Sequence, residues 1–338
     1  MKKIRAAHLC LLAAAMLLTA CGSGHRRQED KSREADGSFR LQVVTTLFPY
    51  YDFTRQIAGD QVDLTLVIPA GMDSHSFEPT PADMRTIQNA DVLICNGGEM
   101  EHWLRDVLGA MDTSHMTIVT MMDYVDTREE ELVEGMEDVE HDHGDEDDHN
   151  HEAETDGHEM EIEYDEHIWT SPVNAMKLTA AIGEALEQRD PEHASSYRNR
   201  AADYKKQLEQ IDAGLREVSE NRVRDMIIVG DKFPFRYLAD EYGIEYRAAF
   251  SGCSGDTEPS ASTIAYLIDK IRTEKIPVVY YLELSSHRVA EIIGEETGAQ
   301  PLLLHSCHNV TRAQLDSGVT YVELMKHNIE NLRKGLDE

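Results

Sequence analysis

Residues 41–95 read LQVVTTLFPYYDFTRQIAGDQVDLTLVIPAGMDSHSFEPTPADMRTIQNADVLIC and alternate between two kinds of pattern. Short apolar runs, typical of buried strands, occupy residues 43–46, 64–68 and 91–95. Segments with a helical pattern, at residues 52–58 and 81–89, separate them. Strands that alternate with helices at this spacing predict an α/β fold, in which helices cover a mostly parallel sheet.

The same alternation resumes after residue 221, with strand-like runs at residues 226–229, 277–282 and 302–304. Helical patterns follow at residues 235–242, 262–274, 287–297 and 322–335. We therefore predict two α/β lobes, each a mostly parallel sheet covered by helices, at residues 39–172 and 222–338. Residues 173–221 would link them.

The linking segment carries one long apolar stripe. The distance from one apolar residue of the stripe to the next is alternately four and three positions. The residues are Tyr197, Ala201, Tyr204, Leu208, Ile211, Leu215 and Val218. This spacing predicts a long amphipathic helix. The same spacing is expected for a helix that lies between the two lobes and for an ordinary helix that packs against a core. Periodicity alone therefore leaves this choice open.

The chain is strongly acidic, with 32 Lys and Arg against 64 Asp and Glu and a net charge of −32. A phosphate backbone needs a basic face, so this balance argues against a nucleic acid partner and suits a protein that attracts cations. Residues 129–166 hold 20 acidic residues, five histidines and no Lys or Arg. This composition predicts a disordered, low-complexity insertion within the N-terminal lobe.

The N-terminus has the features of a secretion signal. Lys2, Lys3 and Arg5 precede an apolar run at residues 6–20, which is too short to span a bilayer stably. The run ends in Leu18-Thr19-Ala20-Cys21-Gly22, which resembles a lipobox. We expect residues 1–20 to be removed and Cys21 to carry lipid, although an ordinary signal peptide with a chance cysteine is the alternative.

Residues 21–38 are polar and would form a tether. The protein would then be anchored at the extracytoplasmic face of a cell membrane.

Four blocks of sequence resemble one protein family. They are Ile57-Ala58-Gly59-Asp60 followed by residues 69–81 (PAGMDSHSFEPTP), residues 165–172 (DEHIWTSP), residues 258–261 (EPSA), and Val319-Thr320-Tyr321 with Met325 and Asn328. The family is the cluster A-I metal-binding lipoproteins, the substrate-binding proteins of metal ABC transporters. The resemblance implies two lobes joined by a long backbone helix, with a metal in the cleft between them. It also implies a membrane permease and its ATPase as partners.

The resemblance further implies metal ligands. His75 and His167 match two histidine ligands of the family. A third family histidine comes from the first strand of the C-terminal lobe, but residues 230–235 read GDKFPF and contain no histidine. Lys232 is a poor substitute because its ammonium would have to lose a proton, whereas Asp231 could replace the missing ligand.

The last family ligand, an aspartate, matches the segment Leu304-His305-Ser306-Cys307-His308-Asn309. We expect His305 to replace it, with His308 close by. The expected set is therefore His75, His167 and His305, with a carboxylate or a water completing a tetrahedron. Glu258 and Glu283 would support the site without binding the metal.

Imidazole-rich ligation favours Zn²⁺ as the transported ligand over manganese, which prefers carboxylate oxygen. The missing third histidine weakens this inference, so a manganese-binding homologue and a surface adhesin stay open as alternatives. A zinc hydrolase is disfavoured because no His-Glu-x-x-His motif occurs. We expect a monomer that is not an enzyme.

Three cysteines fall within the predicted lobes. Cys95 lies in an apolar strand-like run, and we expect it to be a small buried residue of the core. Cys253 and Cys307 both follow strands, and we predict a disulfide between them that closes a loop of roughly 54 residues. Two free thiols near the metal, or thiolate ligands, are the alternatives.

The acidic insertion contains His141, His143, His149, His151 and His158 among carboxylates. We expect these side chains to bind cations weakly at several sites, because an unfolded segment loses conformational entropy when it orders around a metal. Their negative potential would raise the cation concentration near the cleft. A solvated acidic linker without a role is the alternative.

Deleting residues 137–161 should remove the weak metal equivalents, retain the tight one and slow metal uptake when zinc is limiting. Zinc titration of both proteins measures the stoichiometry. The rate advantage of the intact chain should shrink as salt rises. Equal stoichiometry with and without the segment would contradict the hypothesis that the acidic insertion binds cations and concentrates them near the cleft.

Overall fold

The computed structural model describes residues 40–136, 163–253 and 258–337. The predicted signal segment and tether at residues 1–38, the cysteine expected to carry lipid (Cys21), and the five histidines of the insertion lie outside the described residues. Within the described part of the chain, no helix is long and apolar enough to cross a membrane.

The N-terminal half contains a four-stranded parallel sheet with the order β2-β1-β3-β4. Its strands are β1 (Leu41–Thr45), β2 (Val62–Leu66), β3 (Val92–Cys95) and β4 (Thr117–Thr120). Helices α1 (Phe48–Ala58), α2 (Pro81–Gln88) and α3 (His102–Gly109) alternate with them. The side chains of β3 are all buried, as expected for a strand whose sheet is covered on both faces.

The C-terminal half contains a second four-stranded parallel sheet, with the order β10-β9-β7-β8. Its strands are β7 (Met226–Phe233), β8 (Glu245–Ser251), β9 (Val278–Tyr281) and β10 (Gln300–Leu303). The helices that accompany them are α6 (Arg236–Tyr242), α7 (Ala261–Glu274), α8 (Arg288–Thr297), α9 (Arg312–Ser317) and α10 (Tyr321–Leu336). Two parallel sheets flanked by helices confirm the predicted fold class.

Two helices join the sheets, α4 (Pro172–Arg189) and α5 (Ala194–Asn221). With 28 residues, α5 is about 42 Å long at 1.5 Å per residue. Near its start, Arg200 donates to the backbone oxygen of Gln56 at the end of α1, and farther along Gly214 lies against Ile329 of α10. The residues of the predicted stripe are buried except for Ala201, which is half-buried. Because α5 packs against α1 of the N-terminal half and α10 of the C-terminal half, it is a backbone helix that connects the two halves.

One hydrophobic core cluster includes residues from both halves, and Arg40–Glu338 group as one compact unit. A second, smaller cluster lies between the C-terminal sheet and helices α7 and α8. The boundaries predicted for the lobes at residues 172 and 222 remain predictions, because the shared core does not divide there.

Part of the segment predicted to be disordered belongs to the folded body. A two-stranded antiparallel pair, β5 (Arg128–Glu129) with β6 (Tyr164–Asp165), forms at its two ends. The Glu130 carboxylate accepts the backbone N–H of Cys253, and Glu131 lies 2.8 Å from Arg236. The prediction of disorder across all of residues 129–166 is therefore wrong at both ends, because these carboxylates find donors on the C-terminal half.

The turn that follows β3 depends on a buried carboxylate. Glu101 is 3% exposed, and one of its oxygens accepts the backbone N–H groups of Asn96 and Gly97 at 2.8 and 3.1 Å. Gly98 (φ +79°) packs against the carboxylate of Glu166, so closely that a β-carbon would collide with it. Burial raises the pKa of Glu101 from 4.5 to about 7.

The variant Glu101→Gln should become more stable than the parent chain as pH rises from 4.5 to 7. In that window the unfolded chain loses the proton of Glu101 while the folded chain keeps it, so the parent chain loses stability with rising pH. The relative gain should reach at most about 3 kcal/mol, since one pKa unit corresponds to about 1.4 kcal/mol. Denaturant unfolding across this pH range measures it.

The matched control is Glu99→Gln, which removes an exposed carboxylate of the same turn. It should show no such pH trend. A constant stability difference between Glu101→Gln and the parent chain at every pH would contradict the assignment.

Candidate metal centre

His75 lies in a short 3-10 turn, Ser74–Ser76, in the loop that follows β2. The carboxylate of Asp73 accepts the backbone N–H of His75 at 3.0 Å and caps this turn. The Nε2 atom of His75 is buried and has no hydrogen-bond partner among the described residues. This nitrogen is therefore available to bind a ligand.

His167 follows β6 and is 2% exposed. The carboxylate of Asp165 accepts its backbone N–H at 2.8 Å and lies 3.2 Å from its Nδ1. Such a carboxylate holds the imidazole in one orientation and leaves Nε2 to bind a metal. Burial alone would lower the pKa of His167, but the negative charge of Asp165 raises it above its ordinary value.

His308 lies in the loop after β10. The preceding residue, Cys307, adopts a left-handed backbone conformation (φ +60°) that turns the chain. The hydroxyl of Ser74 contacts Nε2 of His308, and the ring of Trp169 lies 5.4 Å from the imidazole, centroid to centroid. The C-terminal half therefore presents His308 directly to the loop that carries His75.

The three imidazoles converge. Ligand atoms of His75, His167 and His308 all lie within 4.8 Å of one another. Burial, together with the neighbouring imidazoles, lowers the pKa of His75 to about 4 and that of His308 well below its usual range. Both rings are therefore neutral near pH 7, which is the form that binds a metal. Among the described residues, no other group of three or more potential ligands comes together.

His305, expected as a ligand, lies outside this group. Its backbone N–H and carbonyl pair with the side-chain amide of Asn328, and its Nδ1 accepts the backbone N–H of Cys307 at 3.0 Å. The turn at Cys307 separates the two histidines, so His305 faces the interior and His308 faces the cleft. Sequence reasoning noted His308 as close by but did not select it, since nothing in the local sequence reveals the backbone angle at Cys307.

The nearby carboxylates are already occupied. Asp231 accepts the backbone N–H of Lys232 and lies 3.4 Å from that of Leu282, and Glu283 accepts the backbone N–H of Ser306 at 2.8 Å. Glu258 is exposed at the border of the cleft. None of these three carboxylates joins the histidine group, which argues against Asp231 as a replacement ligand, and the supporting role expected for Glu258 and Glu283 stays a prediction.

Cys253 and Cys307 are both free thiols, so the predicted disulfide is absent and this prediction is corrected. Cys307 is fully buried in the core, and its Sγ lies 3.7 Å from the backbone oxygen of His305. Cys253 is at the end of β8, where its backbone binds Glu130. Burial raises the pKa of both thiols, which disfavours the thiolate that a metal would require. Cys95 is buried, as predicted.

A cleft of about 410 Å³ opens beside the histidines. Loops from both halves line it, including residues 71–73 of the N-terminal half and residues 282–289 of the C-terminal half. A ligand-sized cleft between two α/β sheets is the architecture of a two-lobed substrate-binding protein.

The chain belongs to the family described as "Zinc-uptake complex component A periplasmic" (ZnuA), whose model matches residues 43–335. The description of this family names a component of a zinc-uptake complex, which is a transport role. A relative, the "High-affinity zinc uptake system protein ZnuA" of Bacillus subtilis (strain 168), is 32% identical over 326 residues, which are 96% of this chain and 96% of that protein.

The "Zinc-binding lipoprotein AdcA" of Streptococcus pneumoniae (strain ATCC BAA-255 / R6) is 31% identical over 342 residues, which are 100% of this chain but 62% of AdcA. The crystal structure of the Zn(II)-bound ZnuA-like domain of Streptococcus pneumoniae AdcA superposes with a TM-score of 0.70 at 26% identity, covering 88% of this chain and 100% of that domain. The metal-dependent lipoprotein YcdH from Bacillus subtilis gives a TM-score of 0.71 at 29% identity, with 88% and 100% covered.

Gly252→Ala should weaken metal binding by about 10- to 100-fold, the usual effect of disturbing a group that orients a ligand. A β-carbon at Gly252 would lie 3.0 Å from Oδ2 of Asp165 and 3.3 Å from Nδ1 of His167. It would also lie 2.9 Å from the backbone oxygen of Phe233, which cannot move aside easily. Competition with a chelator measures the affinity.

The control is Gly183→Ala in α4, where the nearest atom to a new β-carbon is that of Ala201 at 3.6 Å, an ordinary contact. This variant should bind metal like the parent chain. If Gly252→Ala kept the parent affinity, Asp165 would not be needed to orient His167.

Proposed function

We propose that the protein captures Zn²⁺ in the cleft between its two sheets through His75, His167 and His308, and delivers it to the permease of an ABC transporter. The observation that carries this proposal is the convergence of three imidazoles, one of them with an unpartnered buried Nε2. The ligand set differs from the sequence-based expectation in one member, His308 in place of His305.

The choice of zinc follows from the donor atoms. The group offers three imidazole nitrogens and no carboxylate oxygen. Zn²⁺ accepts such a nitrogen-rich set and four-coordinate geometry, whereas Mn²⁺ prefers more oxygen ligands. The Zn(II)-bound AdcA domain of Streptococcus pneumoniae, which shares the fold, supports the same choice.

Delivery and location rest on the family and on the N-terminus. A zinc-uptake component implies a permease and an ATPase as partners. The lipobox-like Leu18-Thr19-Ala20-Cys21 supports a lipid anchor on Cys21, which would hold a monomeric binding protein at the extracytoplasmic face of the membrane.

Replacing the third ligand tests the site. His308→Ala should lower zinc affinity by at least about 100-fold, because the site keeps only two of its three histidine ligands. The matched control is His305→Asn, whose side-chain oxygen can replace Nδ1 as the acceptor for Cys307, and it should keep the parent affinity. Chelator competition with the full chain measures both.

Circular dichroism should show that both variants are folded. If His305→Asn then lost tight zinc binding and His308→Ala kept it, the ligand set expected from the sequence, with His305, would be supported instead. Manganese that displaces zinc at equal concentration would contradict the choice of metal.

A further inference from the structure

Three protein ligands leave one position of a tetrahedral zinc ion open. Among the described residues, no carboxylate oxygen or thiol joins the group formed by His75, His167 and His308. Asp165 is engaged with His167 itself, and Asp231 and Glu283 are held by backbone N–H groups. In this arrangement, no described residue supplies the fourth ligand.

Two Lys or Arg side chains, Lys232 and Arg288, are among the described residues that line the cleft. Lys232, near the end of β7, lines the cleft together with His75 and His308. The positive charge of Lys232 is among the causes, after burial and the neighbouring imidazoles, that lower the pKa of both histidines. Lys232 makes no ion pair with any described residue.

The cleft is larger than a water ligand needs. Its volume of about 410 Å³ is within the range of small-molecule pockets. Its walls combine apolar groups, such as Pro234, Phe250 and Val289, with the hydroxyls of Ser285 and Ser286. Apolar walls with a few polar groups are typical of a site for an organic molecule.

We propose that a small organic carboxylate from solution occupies the fourth position of the zinc, with its second oxygen accepting a hydrogen bond from the Lys232 ammonium. This inference rests on the proposed function, and it identifies the cargo as a zinc–carboxylate complex. Three neutral imidazoles bring no negative charge to the Zn²⁺ itself, the carboxylate of Asp165 lies behind His167, and Lys232 adds positive charge in the cleft. A carboxylate offsets this charge, and its charge-assisted hydrogen bond to Lys232 is of the stronger kind.

The test uses the full chain and sodium L-lactate as the carboxylate. Zinc affinity is measured by chelator competition with and without lactate, after correction for zinc that lactate itself binds. The parent chain should bind zinc about tenfold more tightly with lactate, as a charge-assisted hydrogen bond allows. The absorption bands of the Co²⁺-loaded protein should shift on adding lactate, because they report the ligands of the metal directly.

Lys232→Met should lose the lactate effect on both readouts, while its zinc affinity without lactate stays equal or rises, since a positive charge beside the metal has been removed. The matched control is Lys206→Met, an exposed lysine of α5 paired with Asp203, and it should respond to lactate like the parent chain.

A parent chain that binds zinc tightly but shows no change in affinity or Co²⁺ spectrum with lactate would overturn this inference and leave the proposed function standing. If sodium chloride changed zinc affinity and the Co²⁺ spectrum as much as lactate does, the inference that the fourth ligand is an organic carboxylate would also be wrong. Absence of tight zinc binding in plain buffer would instead refute the proposed function.

Discussion

The arrangement of the two halves depends on one buried carboxylate, that of Asp52 in α1. This side chain is fully buried, and its Oδ2 accepts the backbone N–H of Tyr321 at 2.8 Å, at the first residue of α10. Arg55, paired with Asp52 at 2.6 Å, also donates to the backbone oxygen of Val319. A buried carboxylate is stable only when donors surround it, so α10 must begin at this point of α1. The relative position of the sheets follows from that requirement.

The metal site inherits its geometry from the same contact region. Tyr321 donates to the backbone oxygen of Trp169, and Trp169 donates to that of Ser306, two residues before His308. Asn309 then donates to the backbone oxygens of Pro69 and Met72 in the loop that leads to His75. This chain of hydrogen bonds connects both histidine-bearing loops to the core. The imidazoles are thus placed before any metal arrives, which reduces the entropy lost on binding.

The fold class was predictable because parallel strands covered on both faces appear as continuous apolar runs. Residues 91–95 and 226–229 have that pattern, and both belong to central strands of the sheets. The strands that the pattern did not identify, β4 and β8, lie at sheet edges. The ends of the acidic insertion were misjudged for another reason. Composition predicts how a segment behaves alone, whereas Glu130 and Glu131 are ordered by Cys253 and Arg236, which lie more than a hundred residues away.

Local sequence alone determined the alternating α/β pattern, the long helix α5, and two histidines in recognisable motifs. The spacing of apolar residues and the position of turn residues depend on only a few neighbouring positions, so both can be recognised in the sequence itself. Tertiary structure alone turned His308 rather than His305 towards the cleft and left Cys253 and Cys307 as free thiols. It also placed Lys232 in the cleft that His75 and His308 line. These outcomes depend on the backbone angle at Cys307 and on contacts between residues far apart in the chain, which no local pattern encodes.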